Sequence, residues 1–315
     1  MSKKTPPLGI QYFLQTALLG KITEAERVAE LQNKFTATWH KIAADQRSEI
    51  YEDLKEALLK NVVENFEIKN WQRSVHYKYS LHPLCTIGSI CYIGGRFNYG
   101  DEIRDDVSSF PALYIAKDKK TALQEHLAQP SDNDSTNILS SVDLALNKPD
   151  SNTTVSVTGK LSKVIDLNNT KSLKDFINII KKFKLPAEFS LWAKNAHMPS
   201  TNLGLARSIT TLINALLELE WRAEPAVFNT PSTSQEFGEL VMLAGIDGII
   251  YPSKFNQQPC AAIFLQNFCN NDSYIEISGD VPDVQMVTRI DGSNYKLAEL
   301  EYKNFLDCCS SNSLN

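Results

Sequence analysis

The sequence predicts an α+β fold, because helical and strand-like segments occur along the chain without a regular alternation. Segments 248–251 and 261–265 are short and apolar, as buried strands are, whereas 172–185 shows helical periodicity. A doubly wound sheet would require a repeated strand–helix–strand rhythm, which is not found here. With 315 residues, of which 43% are hydrophobic and 22% charged, the chain can build a sizeable core and is not a disordered protein.

The charge and hydropathy of the chain exclude several classes of partner. There are 32 Lys and Arg residues against 37 Asp and Glu, a net charge of −5, which argues against a protein that coats nucleic acid. No apolar run reaches the roughly 18 residues that span a bilayer, so no membrane partner is expected. A small anionic ligand needs only one or two local cations and remains compatible with this composition.

Cysteine usage and the first residues predict where the protein works. Six Cys residues in 315 are too few for a disulfide scaffold and favour a reducing compartment. The N-terminal apolar run is interrupted by Gln11 and Gln15, so no secretory signal is predicted. We therefore expect a cytoplasmic protein, or one delivered to a target cytoplasm by a secretion route that needs no such signal.

The chain divides into three predicted parts. Residues 1–70 form a helical segment, since apolar residues recur every three or four positions over 22–68. Residues 71–300 form the main domain, with a helical insertion at about 170–220, and residues 301–315 form a tail. The N-terminal helices look like a packing element or a partner surface and carry no obvious chemistry.

Within the main domain, the clearest local prediction is a strand followed by a helix. Residues 110–116 read as a short strand, and Asp118 can cap a helix over 119–127. Residues 130–155 are polar and predict a loop with one strand over 138–146. Further segments are predicted as follows: a strand at 164–167, helices at 172–185, 201–221 and 237–244, and strands at 248–251, 261–265, 275–277 and 284–290.

Four polar residues at the ends of these elements are candidates for a binding or catalytic site. Arg96 follows Gly94-Gly95 and could bind an anion bidentately, or could be a surface arginine. Tyr114 alternates with small residues, which leaves room for a flat ligand, although a core tyrosine fits equally. Glu125 lies beside apolar helix positions but could be a solvated acid, and Ser253, with Lys254 beside it, follows a strand.

A metal site is the weakest of the candidate sites. His76, His82, Cys85 and Cys91 have a spacing that matches no common zinc module, so no metal is predicted. The sequence also lacks the glycine-rich phosphate loops and the common hydrolase motifs.

Taken together, several stretches of the chain resemble the RES domain, a family named for its Arg, Glu and Ser. The matching stretches occur in the family's order over roughly residues 71–300: GGRFN at 94–98, ALYIAKDKKTALQEHL at 112–127, Ser234-Gln235, GIDGIIYPSK at 245–254 and AIFL at 262–265. The helix-rich stretch at about 170–220 and the helices in 1–70 lie outside this resemblance.

The resemblance implies a fold similar to that of ADP-ribosyltransferases, with a split β-sheet core, and an activity that degrades NAD+. Family roles would then fall on Arg96, Tyr114, Glu125 and Ser253, with Lys254 as a neighbouring contact. NAD+ would be a substrate and no prosthetic group is expected. Several family members are toxins whose neutralising partner carries a DNA-binding helix-turn-helix, so an inhibitory antitoxin-like protein is a further expected partner.

The expected reaction is cleavage of the nicotinamide–ribose bond, either as an NAD+ glycohydrolase or, with inorganic phosphate as acceptor, as an NAD+ phosphorylase. Two alternatives remain open from the sequence. One is an ADP-ribosyltransferase that modifies a macromolecule, and the other is a non-catalytic module that binds NAD+ or a partner.

Overall fold

The computed structural model describes residues 22–103, 108–127, 152–187, 189, 191, 205–279 and 287–299. Its helices are α1 (Ile22–Glu49), α2 (Tyr51–Leu59), α3 (Lys119–Leu127), α4 (Lys174–Ile180), α5 (Ile209–Leu216), α6 (Ala223–Phe228) and α7 (Thr233–Leu243). Its strands are β1 (Val63–His76), β2 (Gly94–Gly95), β3 (Asn98–Tyr99), β4 (Leu113–Ala116), β5 (Asn152–Asp166), β6 (Gly248–Pro252), β7 (Pro259–Ile263), β8 (Tyr274–Ile277) and β9 (Arg289–Asp291).

Seven strands form one sheet in the order β1-β4-β7-β6-β5-β8-β9, and β1 also pairs with β5. This second pairing closes β1, β4, β7, β6 and β5 into a barrel-like ring, from which β8 and β9 extend. Only β5 and β6 run parallel, while every other pairing in the sheet is antiparallel. The predicted α+β class is therefore confirmed.

The two faces of β4 show how the core is divided. Leu113 and Ile115 belong to one hydrophobic cluster, with Trp71 and Phe268. Ala112 and Ala116 belong to a second cluster, against which Tyr114 packs. Because successive strand residues point to opposite faces, β4 contributes to both clusters and presents Tyr114 between two small residues. The predicted alternation around Tyr114 is confirmed.

The predicted helix over 22–68 is wrong beyond residue 60. The chain is helical in α1 and α2, but β1 begins at Val63 and runs through the predicted domain boundary at residue 70. Phe66 fits the helical spacing, but the buried positions further along β1 alternate instead: Trp71, Arg73 and Val75. The pairing of β1 with β5, more than 70 residues away, stabilises the strand and cannot be read from local periodicity.

Other boundaries also differ from the sequence prediction. The polar residues 152–155, expected in a loop, begin the long strand β5, because each pairs with a residue of β1. The expected helices at 172–185 and 201–221 contract to α4 and α5. The last helix starts at Thr233, since Ser232 and Gln235 form a capping box that the prediction missed.

Some predictions lie outside the described residues. These are the strand at 138–146, the start of the strand at 284–290 up to residue 286, and the tail at 301–315. In the described remainder of 284–290, the strand begins only at Arg289, as β9. Among the helices that the structure does describe, none combines the length and apolar character needed to cross a bilayer.

Candidate active site

A cavity of about 270 Å³ lies between the face of β1 and β4, the β2–β3 hairpin and helix α3. It brings together residues that are far apart in the sequence, among them Ser74, His76, Arg96, Tyr114, Glu125, His126, Trp221 and Arg222. Its size is close to that of small-molecule sites in proteins.

Helix α3 presents one face to this cavity. The Asp118 carboxylate accepts hydrogen bonds from the Thr121 backbone N–H (2.9 Å) and hydroxyl (2.8 Å), which starts the helix as the sequence predicts. Ala122, Glu125 and His126 all line the cavity. These positions are three and four residues apart, so they share one side of the helix. Glu125 is therefore a cavity residue and not a solvated helix acid.

Ser253 is completely buried behind Glu125. Its hydroxyl donates a hydrogen bond of 2.6 Å to Glu125 Oε1 and accepts one of 3.2 Å from the Phe255 backbone N–H. No described residue donates to Glu125 Oε2, so one carboxylate oxygen is held by the protein and the other is left for a ligand. Ser253 does not itself line the cavity.

The loop after β6 is clamped to α3 at a second point. The Asn256 side-chain amide donates to Thr121 Oγ1 and to Gln124 Oε1, both at 2.8 Å. Asn256 was not singled out by the sequence analysis, although a polar residue three positions after Ser253 is compatible with a loop clamp. This clamp fixes α3 against the loop, while the Ser253 contact orients the Glu125 carboxylate.

The turn that carries Arg96 is held by Tyr114 and Asn98. The Tyr114 hydroxyl accepts a hydrogen bond from the Phe97 backbone N–H (2.9 Å) and donates one to Asn98 Oδ1 (2.8 Å). Asn98 Oδ1 also accepts from the Gly95 backbone N–H at 3.2 Å. Burial raises the pKa of Tyr114, so the phenol stays protonated and the network is intact at neutral pH. Tyr114 thus positions the Arg96 turn in addition to forming a wall of the cavity.

Helix α7 supports the same turn from outside. The Gln235 side-chain amide donates to three backbone carbonyls, those of Ile93, Gly95 and Asn98, at 2.7–3.1 Å. Gln235 belongs to the Ser-Gln pair identified in the sequence. The structure shows what the glutamine does: its amide donates hydrogen bonds to the carbonyls of the turn.

Arg96 meets the helical insertion. Its guanidinium Nη1 donates to the Glu218 carbonyl at 2.7 Å, and its Cζ lies 5.8 Å from the centre of the Trp221 ring. Arg222 packs on the same ring at 4.5 Å. The end of the insertion therefore forms part of the cavity wall, and it adds a second arginine that the sequence analysis missed.

The cavity is electropositive around a single acid. Glu125 is the one acidic side chain among the described residues that line it, whereas Arg73, Arg96 and Arg222 are cationic. Desolvation by surrounding atoms, and then the nearby Arg96, lower the pKa of Arg222, although much of its side chain reaches solvent. Tyr114 and Glu125 act in the opposite direction. This field suits a ligand with two or more negative charges.

Comparison with known proteins identifies the family. The RES domain family matches residues 88–280, which is more than half of the chain. The chain belongs to the RES domain family. The predicted resemblance is thereby confirmed, and the matched range contains Arg96, Tyr114, Glu125 and Ser253.

A chain in a solved structure, described as the M. tuberculosis MbcT–MbcA toxin–antitoxin complex, is also similar. The sequences are 12% identical, the match covers 78% of this chain and 97% of that chain, and the TM-score is 0.36. No curated protein matches this chain.

The RES stretches supply most of the cavity but not all of it. Strand β1, which precedes the matched range, contributes Ser74 and His76. Lys254, expected as a ligand contact, lies beside Ser253 but does not line the cavity.

The four residues considered for zinc have separate environments. His82 bonds to the Leu297 carbonyl at 2.9 Å, Cys85 is buried and Cys91 is exposed. Within the described part of the chain, no group of three His, Cys, Asp or Glu side chains could hold a metal ion.

Proposed function

We propose that this RES domain protein consumes NAD+ by cleaving the bond between nicotinamide and ribose. The family, which includes NAD+-processing toxins, supports NAD+ as the substrate. The observation that carries the proposal is the Glu125 carboxylate, held by buried Ser253 on the wall of a cavity that also contains Arg96 and Arg222.

One carboxylate is sufficient for this reaction. When the ribose C1′–N bond breaks, the electron pair goes to the pyridinium nitrogen, and nicotinamide departs as a neutral molecule. No general acid is needed, unlike the cleavage of ordinary glycosides, which uses two carboxylates. The ribose gains oxocarbenium character, and a nearby carboxylate stabilises that positive charge. Glu125 is the acid that the cavity offers for this role.

The remaining charges fit the rest of the dinucleotide. NAD+ carries a pyrophosphate with two negative charges, and we assign its binding to Arg96 and Arg222. Within the described residues, Arg96 uses only one of its five N–H donors on protein, so further donors remain for phosphate oxygens. Tyr114 and Trp221 supply aromatic walls for the flat base.

Ser253 acts in this proposal as a positioning residue. The sequence analysis gave it direct contact with the ribose or the acceptor, but its hydroxyl proton is directed at Glu125. A hydrogen bond to the charged carboxylate holds it in the orientation that the transition state requires. The proposed role is therefore to orient Glu125.

The product of the reaction identifies the acceptor. Water would give ADP-ribose, inorganic phosphate would give ADP-ribose 1″-phosphate, and a macromolecular group would become ADP-ribosylated. Reactions with and without phosphate, analysed by mass spectrometry together with a search for labelled protein or nucleic acid, separate the three. NAD+ is a substrate in each case, and the protein needs no prosthetic group.

The proposal also covers the fold and the biological role of the protein. We propose that the barrel-like mixed sheet corresponds to the split β-sheet of ADP-ribosyltransferases. We also propose that depletion of NAD+ makes this protein a toxin restrained by an inhibitory protein partner. Expression of the active protein should arrest growth, and a co-encoded inhibitor should co-purify and relieve that arrest.

The central test is nicotinamide release from NAD+ by the purified full chain. Glu125→Gln keeps the shape but removes the charge, so we expect kcat to fall about 10²- to 10³-fold, as in other electrostatically catalysed sites. Glu56→Gln, an exposed glutamate on α2 with 67% of its side chain accessible, serves as the matched control and should keep full activity. Unchanged NAD+ at high wild-type concentration, with no partner bound, or full activity in Glu125→Gln would refute the proposal.

A further inference from the structure

Two buried polar atoms in the cavity wall have no hydrogen-bond partner among the described residues. They are Ser74 Oγ on β1 and His126 Nε2 on α3. A buried hydroxyl or imidazole nitrogen without a partner costs free energy, and such groups are rare in folded proteins. Their presence in the wall of a ligand-sized cavity suggests that a ligand satisfies them.

The two atoms belong to one corner of the cavity. Ser74 and His76 lie two residues apart on β1, so they face the same side of the strand. The rings of His76 and His126 make an edge contact with centroids 4.6 Å apart. We call Ser74, His76 and His126 the polar corner. His126 and Glu125 both line this cavity, so the corner shares it with the carboxylate.

His126 of the polar corner is uncharged at neutral pH. Burial, and then the nearby His76 and Arg73, lower the pKa of His126 to about 4, although a side-chain contact with Asn152 acts in the opposite direction. A neutral imidazole nitrogen either donates or accepts one hydrogen bond, and a serine hydroxyl can do both. Whichever tautomer His126 adopts, the pair can therefore supply one donor and one acceptor.

We infer that the polar corner binds the carboxamide of nicotinamide and selects for pyridine bases that carry an amide. This inference rests on the proposed function. A carboxamide offers one acceptor oxygen and an NH₂ donor, which matches the two unpaired groups. A neutral His126 also accepts the cationic pyridinium of NAD+ without repulsion, whereas a protonated His126 would oppose it. A carboxylate or phosphate group would find no cation among the two unpaired atoms.

The position of the corner agrees with the chemistry. The bond that breaks joins the pyridine ring to the ribose, and Glu125 must lie near that ribose. A base seated against His126, the next residue on α3, would place its glycosidic nitrogen beside Glu125. Arg96 and Arg222 would then remain free for the pyrophosphate.

The test measures binding of free nicotinamide to the full chain by saturation-transfer NMR, alongside turnover of NAD+. We expect wild-type protein to bind nicotinamide and to discriminate against nicotinic acid. Glu125→Gln should lose turnover but keep this binding, which separates recognition of the base from catalysis. Ser74→Ala and His126→Leu should each weaken nicotinamide binding about tenfold or more, as expected for loss of a hydrogen bond in a site built to make it.

A second readout compares NAD+ with its 3-acetylpyridine analogue, which lacks the NH₂ donor. In His126→Leu, kcat/KM should fall about tenfold or more for NAD+ and much less for the analogue, while His126→Gln, which keeps a polar group, should restore part of the preference. Melting temperatures identify variants that fail to fold. If His126→Leu is one of them, Ser74→Ala tests the inference independently. Equal nicotinamide affinity in wild type, Ser74→Ala and His126→Leu, or no binding to wild type at tens of millimolar, would overturn the inference. Absence of NAD+ turnover with normal nicotinamide binding would instead refute only the proposed reaction.

Discussion

The pairing of Glu125 with Ser253 is the smallest unit on which the proposed activity depends. A helix glutamate usually turns towards water, and nothing in the sequence around Glu125 prevents this. Ser253 is fully buried and 128 residues away, and its 2.6 Å hydrogen bond directs the carboxylate towards the cavity. The chemistry of the acid is therefore set by a residue that does not contact the cavity itself.

Ser253→Ala tests this pairing. Removal of the hydroxyl leaves Glu125 in place but free to rotate, so we expect kcat to fall roughly tenfold, as for a charge-assisted hydrogen bond worth about 1.5–3 kcal/mol, with little change in KM. Nicotinamide release at saturating NAD+ provides the measurement. Ser293→Ala, in an exposed turn, is the control. A large rise in KM with unchanged kcat would assign Ser253 to substrate binding instead.

Arg222 is the residue whose contribution the structure adds to the RES motif. If it binds pyrophosphate together with Arg96, Arg222→Ala should raise KM for NAD+ about tenfold and affect kcat less, because the contact is present in both ground and transition states. Arg289→Ala, in an exposed ion pair with Glu276 on the distant strands β8 and β9, should leave KM unchanged. An unaltered KM in Arg222→Ala would remove this residue from the binding site.

Among the secondary-structure elements, α7 and the β2–β3 hairpin form the scaffold of the Arg96 turn. Gln235 donates to three of the hairpin's carbonyls, and Gly238 packs its backbone directly against the Phe97 carbonyl. A glycine is required there because any Cβ would overlap that carbonyl. Helix and hairpin can therefore approach closely only where the helix lacks a side chain.

Gly238→Ala should push the hairpin away from α7. We expect a loss of about 1–3 kcal/mol in the free energy of unfolding, typical of an overpacked contact, together with reduced activity as Arg96 shifts. Urea denaturation measures the first effect and nicotinamide release the second. Leu243→Ala on the same helix, with its side chain half exposed, should cost much less. Wild-type stability in Gly238→Ala would show that the hairpin can move without cost.

Across the whole protein, a buried ion pair joins the N-terminal helix α1 to the RES domain. Arg47 donates to both oxygens of Glu236 at 2.7 and 2.9 Å, and His40 lies 3.2 Å from one of them. Burial alone would raise the pKa of Glu236, but Arg47 and His40 outweigh it and lower the pKa. Helix α1 is therefore tied to α7, the helix that supports the Arg96 turn.

The connection can be tested by the pH dependence of the stability of Glu236→Gln. A carboxyl with a lowered pKa stabilises the folded state fully above its ordinary value of 4.5, and the stabilisation is lost as the pH falls below it. We expect the variant to be roughly 3 kcal/mol less stable than wild type at pH 7, with the difference shrinking below pH 4.5. Urea titrations between pH 7 and 3 measure it.

Two neighbouring acids have the opposite pH dependence. Burial, with a smaller contribution from Glu236, raises the pKa of Glu224 and of Glu239; burial acts in wild type and variant alike, and only the smaller contribution is lost in Glu236→Gln. The exposed Glu56→Gln should show no such difference. A stability gap that stays constant down to pH 3 would contradict the assignment.

Local sequence patterns predicted the parts of the site that near neighbours stabilise. Strand β4 alternates large and small residues, and α3 begins at a cap three residues before Thr121, so both follow from the positions next to them. The order of the Arg, Tyr, Glu and Ser stretches likewise identified the family. These features depend on contacts within a few residues and can therefore be predicted from the sequence.

The tertiary structure decided which side chains meet and what each one does. Strands β1 and β5 are stabilised by pairing across more than 70 residues, whereas the sequence alone predicted helix at the start of β1 and loop at the start of β5. The same distance conceals the contact of Arg96 with Glu218, the position of Arg222 and the use of the Ser253 hydroxyl on Glu125. Hydrogen bonds between remote residues form only once folding has brought the two residues together, so local periodicity carries no trace of them.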